Sequence, residues 1–311
     1  MTRTAAALLC LVALLGLPHC GGGAGGGGGS GGNAIVVGSK LDTEAQVLGR
    51  LMAVQLQAKG YTVRTKIPLG GTEIIRKALT SKRIDVYWEF TGSGLNVLGV
   101  PPIGDPPAAY AKVKALDAAK GVTWLPAARL NDTYALAVKG DGPITATTLS
   151  QLAGALAGRS DVRLCVDPEG GFREDVLPLL ASVYGITFKD TTQLGYELIP
   201  PAVAGGRCSA GIVYSTAALI VKNGLRVLDD DRHAFGAYTP APIVLTSRLP
   251  RWPHLAEDLA GLTAALDTPT ITRLNAEVDV EKKTPEQVAR DFLVTRGLIS
   301  SPAADKGPNG R

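Results

Sequence analysis

The sequence predicts an α/β fold built as two lobes, and three observations point there. From Ala34 onward, short runs of β-branched and aromatic residues alternate with amphipathic stretches of helical period, the pattern of a mostly parallel sheet flanked by helices. A second pattern of the same kind begins after Leu130. With 311 residues, 45% of them hydrophobic and 19% charged, the chain is long enough for two lobes that each bury a core.

Taken in order, Ile35-Val36-Val37 reads as a short buried strand left through Gly38-Ser39-Lys40. Thr43-Glu44-Ala45-Gln46 is a capping-box pattern opening a helix with Leu48, Leu51 and Met52 on one face, stopped at Gly60. Tyr61 to Ile67 is the next strand, and Gly70-Gly71-Thr72 turns into a helix through Ala78. The strand Ile84 to Phe90 ends abruptly in an aromatic residue and the turn Thr91-Gly92-Ser93-Gly94, whose N–H groups and hydroxyls can start a helix. In open α/β sheets ligands sit at such carboxyl ends of strands, so this stretch reads as the rim of a cleft. Pro101 to Pro107 is a rigid loop, Ala108 to Lys120 a helix and Val122 to Leu125 a strand. Beyond Leu130 come a strand through Val138, a helix near Leu149 to Leu156, the strand Val162 to Val166, a helix to Tyr184, another near Tyr196 to Ala204, and the strand Gly211 to Tyr214. Gly236 to Pro240 leads to the strand Ile243 to Thr246, and three helical stretches follow at about Pro253 to Leu266, Thr268 to Val278 and Thr284 to Arg296. The tail at 301–311 is expected to fray.

The N-terminus reads as an export signal: Arg3, an apolar run from Ala5 to Leu17 shorter than a membrane span, then Pro18-His19-Cys20. It resembles a bacterial lipoprotein signal, in which Cys20 would be lipidated and become the first mature residue. His19 stands where that pattern expects a small residue, and plain secretion with nearby cleavage is the alternative. Residues 1–20 are therefore read as the signal and the glycine-rich 21–33 as a flexible tether, roughly 20 Å in root-mean-square reach. A formal charge of +4 with scattered Lys and Arg gives no footprint for nucleic acid. His19, His233 and His254 have no metal-ligand spacing, so no metal site is expected. Cys165 and Cys208 fall at or beside two strands of an exported protein and are candidates for a disulfide, with two buried thiols as the alternative.

Five stretches in colinear order, Ile35-Val36-Val37-Gly38-Ser39-Lys40, Leu69-Gly70-Gly71-Thr72, Trp88-Glu89-Phe90-Thr91-Gly92-Ser93-Gly94, Asn131-Asp132-Thr133-Tyr134-Ala135-Leu136-Ala137-Val138 and Val213-Tyr214-Ser215-Thr216, resemble the substrate-binding proteins of ABC importers for glycine betaine, choline and related osmoprotectants. The resemblance runs from about Ala34 to Leu298. It implies a periplasmic-binding-protein fold of type II, with residues 34–133 plus 238–300 in lobe I, 134–237 in lobe II, and two crossings acting as a hinge. It also implies a monomer that delivers its ligand to an ABC permease and its ATPase, held at the membrane by the lipid anchor and facing the periplasm or the cell exterior.

The resemblance carries a ligand set. Phe90, Tyr134, Tyr214 and Tyr238 match a cage of four rings for a quaternary ammonium, with Phe90 in place of the usual tyrosine. Asp132 matches an acidic position beside the cation. Lys40, Ser93 and Arg173 match the groups that hold a ligand carboxylate, which favours a betaine over choline. Ala45 and Ala217 depart from the family, standing where glutamine and aspartate are common. No cofactor is implied.

Each residue also has a plainer reading as a core tyrosine or a solvated charge. An enzyme is disfavoured by the lack, outside the glycine-rich 21–33, of a Gly-x-Ser-x-Gly elbow and by the lack of a His-Glu-x-x-His pair, and Gly70-Gly71-Thr72 lacks the Gly-Lys-Ser/Thr ending of a nucleotide loop. A choline or carnitine binder, a receptor for another amino-acid-like solute, and a sensor of the same fold remain as alternatives.

Overall fold

The computed structural model describes residues 34–156 and 161–300; the expected signal, the Cys20 lipidation site, the tether and the tail lie outside the described residues. The chain begins with β1 (Ile35–Gly38), α1 (Thr43–Ala58), β2 (Val63–Lys66), α2 (Thr72–Thr80), β3 (Val86–Phe90), α3 (Thr91–Val97), α4 (Pro106–Ala118) and β4 (Val122–Trp124). It continues through β5 (Tyr134–Lys139), α5 (Leu149–Leu156), β6 (Arg163–Val166), α6 (Leu177–Tyr184), β7 (Asp190–Gln193), α7 (Ile199–Ala204), β8 (Ala210–Tyr214), α8 (Leu219–Lys222) and β9 (Leu225–Val227). It returns through β10 (Pro240–Leu245) and closes with α9 (Leu255–Ala265), α10 (Thr268–Asp279) and α11 (Pro285–Thr295).

Among the described residues the strands form two five-stranded sheets, ordered β2-β1-β3-β10-β4 and β7-β6-β8-β5-β9. In the first, β1 is parallel to β2 and β3 while β10 runs antiparallel to β3 and β4. In the second, β6 is parallel to β7 and β8 while β5 runs antiparallel to β8 and β9. The reversed strand of each sheet is thus the one the chain enters after crossing from the other, and the two sheets repeat one order.

Strand β3 is buried along its whole length because both its faces are covered. Trp88 and Phe90 pack with Leu48, Leu51 and Met52 of α1, whereas Tyr87 packs with Ile75, Val113 and Trp124 on the other side. Helices α9, α10 and α11 pack on α1, so the C-terminal segment completes the first lobe.

Helix α1 departs from the expected cap. Asp42, not Thr43, caps it by accepting from the Ala45 N–H at 2.7 Å, and Thr43 Oγ1 donates instead to Asp279 Oδ1 at 2.7 Å. A carboxylate one residue earlier meets the helix N-terminus with a full charge and outcompetes the hydroxyl. Strands β7 and β9 carry no clear sequence signal, being short, partly exposed edge strands without an apolar run. Cys165 on β6 and Cys208, which precedes β8, are joined in a disulfide with Cα atoms 5.7 Å apart.

Candidate functional site

Two crossing segments are tied to each other beside the ends of the strands. The Asp132 N–H donates to the Tyr238 carbonyl at 3.1 Å, the Tyr238 N–H to Asn131 Oδ1 at 2.7 Å, and Thr133 Oγ1 to the Gly236 carbonyl at 2.8 Å. Asn131-Asp132-Thr133 therefore fixes the outgoing crossing against the returning one, and brings Tyr238 to Tyr134. Tyr134 opens β5 and Tyr214 closes β8, and the two are direct antiparallel partners. Their rings lie 5.1 Å apart, and the Tyr238 ring meets that of Tyr134 at 5.3 Å and 86°. Phe90 closes β3 opposite Pro240, two residues past Tyr238. Gly92 admits the Tyr238 ring, since a Cβ there would come within 2.5 Å of it.

All eight residues read as a ligand set from the sequence line one cavity: Lys40, Phe90, Ser93, Asp132, Tyr134, Arg173, Tyr214 and Tyr238. A fifth ring, Tyr196, lines it too and stacks on Tyr214 at 5.2 Å. It sits on a single 3-10 turn, Tyr196–Leu198, that precedes α7, where the sequence reading had the helix already begun. Burial raises the phenol pKa of Tyr134, Tyr214 and Tyr238 well above the ordinary value, so the rings keep their protons.

The cations of the site are already matched by carboxylates. Lys40 Nζ pairs with Glu89 Oε1 at 2.6 Å and lies 5.2 Å from the centre of the Phe90 ring. Burial pushes the Glu89 carboxyl up, but Lys40, Tyr87 and Arg76 more than offset that and hold it below the usual range. Arg173 donates from Nε to Asp175 Oδ1 at 2.8 Å and from Nη2 to Asp175 Oδ2 at 2.7 Å, with its guanidinium 5.7 Å from the centre of the Tyr134 ring. Its remaining edge, Nη1, faces Thr72 Oγ1 and Ser93 Oγ at 3.4 Å and Glu169 Oε2 at 3.5 Å. The sequence reading had two cations awaiting a ligand carboxylate; here Nη1 is the edge turned to the cavity, because buried charges settle on partners within the chain.

Glu169 and Thr72 lock the second lobe's β6 loop to the first lobe. Glu169 accepts from the Thr72 N–H and, at 2.9 Å, from Thr72 Oγ1, at the N-terminus of α2. Gly71 leaves room for this carboxylate, which a Cβ would collide with. Asp132 accepts from the Thr216 N–H at 3.2 Å and from Thr216 Oγ1 at 2.7 Å. Thr216 Oγ1 also lies 2.5 Å from Glu44 Oε2. Burial raises Asp132 to about 7, and burial followed by the charge of Asp132 raises Glu44 well above the usual carboxylate range. Glu44, Glu169, Asp175, Tyr196 and Thr216 are not among the ligand residues read from the sequence, although Thr216 closes one of the five family stretches and Arg173-x-Asp175 is a visible charge spacing.

The arrangement offers ring faces and Asp132 to a cation that has no N–H to donate, and Arg173 Nη1, Ser93 and Thr72 to an anion near it. Among the described residues, no group of three or more His, Cys, Asp or Glu is placed to hold a metal ion, and no helix is long and apolar enough to cross a membrane.

Residues 33–295 match the family described as the substrate binding domain of ABC-type glycine betaine transport systems. The chain is 34% identical over 282 residues to the glycine-betaine-binding protein of Pseudomonas aeruginosa, covering 87% of this chain and 90% of that one. It is 31% identical over 276 residues to the glycine betaine-binding protein YehZ of Escherichia coli K12, covering 85% and 90%. The solved structure of apo YehZ from Escherichia coli superposes with a TM-score of 0.63 at 30% identity, over 85% of this chain and 99% of that one.

Proposed function

The chain belongs to the family of substrate-binding domains of ABC-type glycine betaine transport systems, and from that premise we propose that it captures glycine betaine or a related carboxylated quaternary amine between its lobes and presents it to an ABC permease and ATPase. The observation that carries this reading is the convergence of Phe90, Tyr134, Tyr214 and Tyr238 with Asp132 and Arg173 on one cavity. A trimethylammonium donates no N–H hydrogen bond, so ring faces are its natural partners at about 0.5 to 2 kcal/mol each. Its carboxylate goes to Arg173 Nη1 with Ser93 and Thr72, displacing Glu169. In this reading Cys20 carries a lipid that tethers a monomer outside the cytoplasm, and closure of the lobes over the ligand is the signal to the permease.

Choline, which has no carboxylate, is the second reading. It is favoured by the pairing of Lys40 with Glu89 and of Arg173 with Asp175, which leaves less positive charge for a ligand carboxylate. Calorimetric titration with glycine betaine, carnitine, choline and proline separates the readings. Betaine binding more tightly than choline supports the first, the reverse order supports the second, and binding of proline alone removes both.

A further inference from the structure

Thr216 has one hydroxyl proton and two carboxylates beside it, Asp132 Oδ1 at 2.7 Å and Glu44 Oε2 at 2.5 Å. A hydroxyl donates once and accepts through its lone pairs, so two carboxylates in contact with it cannot both be ionised acceptors. One of them has to donate. The surroundings decide which.

Asp132 Oδ1 accepts a second bond from the Thr216 N–H at 3.2 Å, and the charge of Lys40 favours its ionised form. Glu44 is 4% exposed, its Oε2 receives Asn275 Nδ2 at 3.0 Å, and its Oε1 has no hydrogen-bond partner among the described residues. A buried ionised carboxylate with one oxygen unserved is costly, whereas a neutral acid is not. The other charged groups lining the adjoining chamber are Asp42, Asp167, Glu197 and Asp279, all acidic, so no cation there offsets the charge an ionised Glu44 would add. Burial raises both acids, and at Glu44 the charge of Asp132 adds to it.

We propose that Glu44 is a neutral acid donating to Thr216, that Thr216 in turn donates to Asp132, and that this relay favours the anion of Asp132 facing the ligand's cation, so that whatever fraction of Asp132 is still protonated in the ligand-free protein gives up its proton when the cation is captured. Glu44 and Thr216 are positioning residues; Asp132 touches the ligand. The proposal rests on the quaternary-amine reading of the site and adds its dependence on protons. The sign follows from linkage: a cation beside Asp132 lowers its pKa in the complex. Affinity therefore rises as pH climbs toward the ligand-free pKa of about 7, and is level above it.

The test is calorimetric titration of the whole protein with glycine betaine between about pH 5.5 and 8.5, in pairs of buffers with different ionisation enthalpies. The expected result is affinity rising by up to about tenfold per pH unit below neutrality and level above it, with proton release on binding in the rising range. Asp132→Asn abolishes both. Glu44→Ala weakens binding about tenfold, and Glu44→Gln restores it because the amide N–H donates to Thr216 as the acid does. A flat profile without proton release overturns the relay while leaving the functional reading intact, and so does Glu44→Gln binding as weakly as Glu44→Ala. Absence of binding by any quaternary amine at every pH removes the reading and the coupling together. Infrared difference spectra of the ligand-free protein at about pH 8.5, where Asp132 is ionised, test Glu44 by itself: the protonated-carboxyl band is lost in Glu44→Gln, and a wild-type protein without that band contradicts the proposal.

Discussion

Arg173 and Asp175, two residues apart on the loop after β6, face each other as a two-pronged pair, Nε to Oδ1 at 2.8 Å and Nη2 to Oδ2 at 2.7 Å. The pair leaves only the Nη1 edge of the guanidinium toward Ser93 and Thr72. Asp175 thereby fixes the orientation of the Arg173 guanidinium and neutralises much of its charge.

Arg173→Lys therefore weakens glycine betaine more than choline, by about tenfold or more, because an ammonium cannot serve Asp175 and a ligand carboxylate in the same fork. Arg173→Ala in addition lowers stability by about 3 to 5 kcal/mol, since it leaves Asp175 buried without its cation. Calorimetry with both ligands, alongside thermal melts, separates the effects. Equal losses for the two ligands would rule out Arg173 as the carboxylate partner.

Tyr134 is the ring that touches the most others, with Tyr214, Phe235 and Tyr238 around it. Tyr134→Ala weakens every quaternary ligand by more than about tenfold, through the lost ring face and the contacts it supports. Tyr238→Phe keeps the ring and loses the hydroxyl that donates to Asp175, so it costs only about 1 kcal/mol and acts mainly on carboxylated ligands. Unchanged affinity in Tyr134→Ala removes the cage.

Glu169 holds Thr72 and lies near Arg173 Nη1, the groups to which the proposed function assigns the ligand carboxylate. Glu169→Gln is expected to tighten betaine binding by up to about tenfold and to leave choline unchanged. If both ligands weaken alike, Glu169 is a strut between the lobes rather than a competitor.

The disulfide closes a loop of sequence separation 43, worth about 4 kcal/mol in the chain-entropy account. Replacing Cys165 and Cys208 with alanine lowers the melting temperature, and reducing agent lowers that of the wild type but not of the double variant. Betaine affinity is unaffected, as the bridge packs with Ala137, Ile199 and Val203 away from the cavity lining. A wild type insensitive to reductant would mean that the bond adds nothing to stability.

The parts of this molecule that could be read in advance are those with a local cause. The strand Val86–Phe90 announces itself by composition, and Thr91-Gly92-Ser93-Gly94 by its turn chemistry; both elements lie within two residues of where they were expected. Strand direction is not local. The reversal of β5 and β10 follows from the crossings, which periodicity does not encode. That the four rings and Arg173 line one cavity could be anticipated only through the family resemblance, because a single tyrosine at a strand end is indistinguishable from a core residue. Glu44 and Thr216 are 172 residues apart and meet only in the folded chain, so no spacing rule could have paired them. The same holds for Lys40, which looks like a solvated charge until Glu89 is found buried against it.

The most direct test of the central claim is a crystal structure of the protein with glycine betaine bound. The account predicts the ammonium nitrogen within about 6 Å of the ring centres of Tyr134, Tyr214 and Tyr238, with the carboxylate on Arg173 Nη1 and Ser93 and with Glu169 turned away from Thr72. Betaine bound outside this cavity, or inside it with its carboxylate toward Asp132 and its methyl groups toward Arg173, would contradict it.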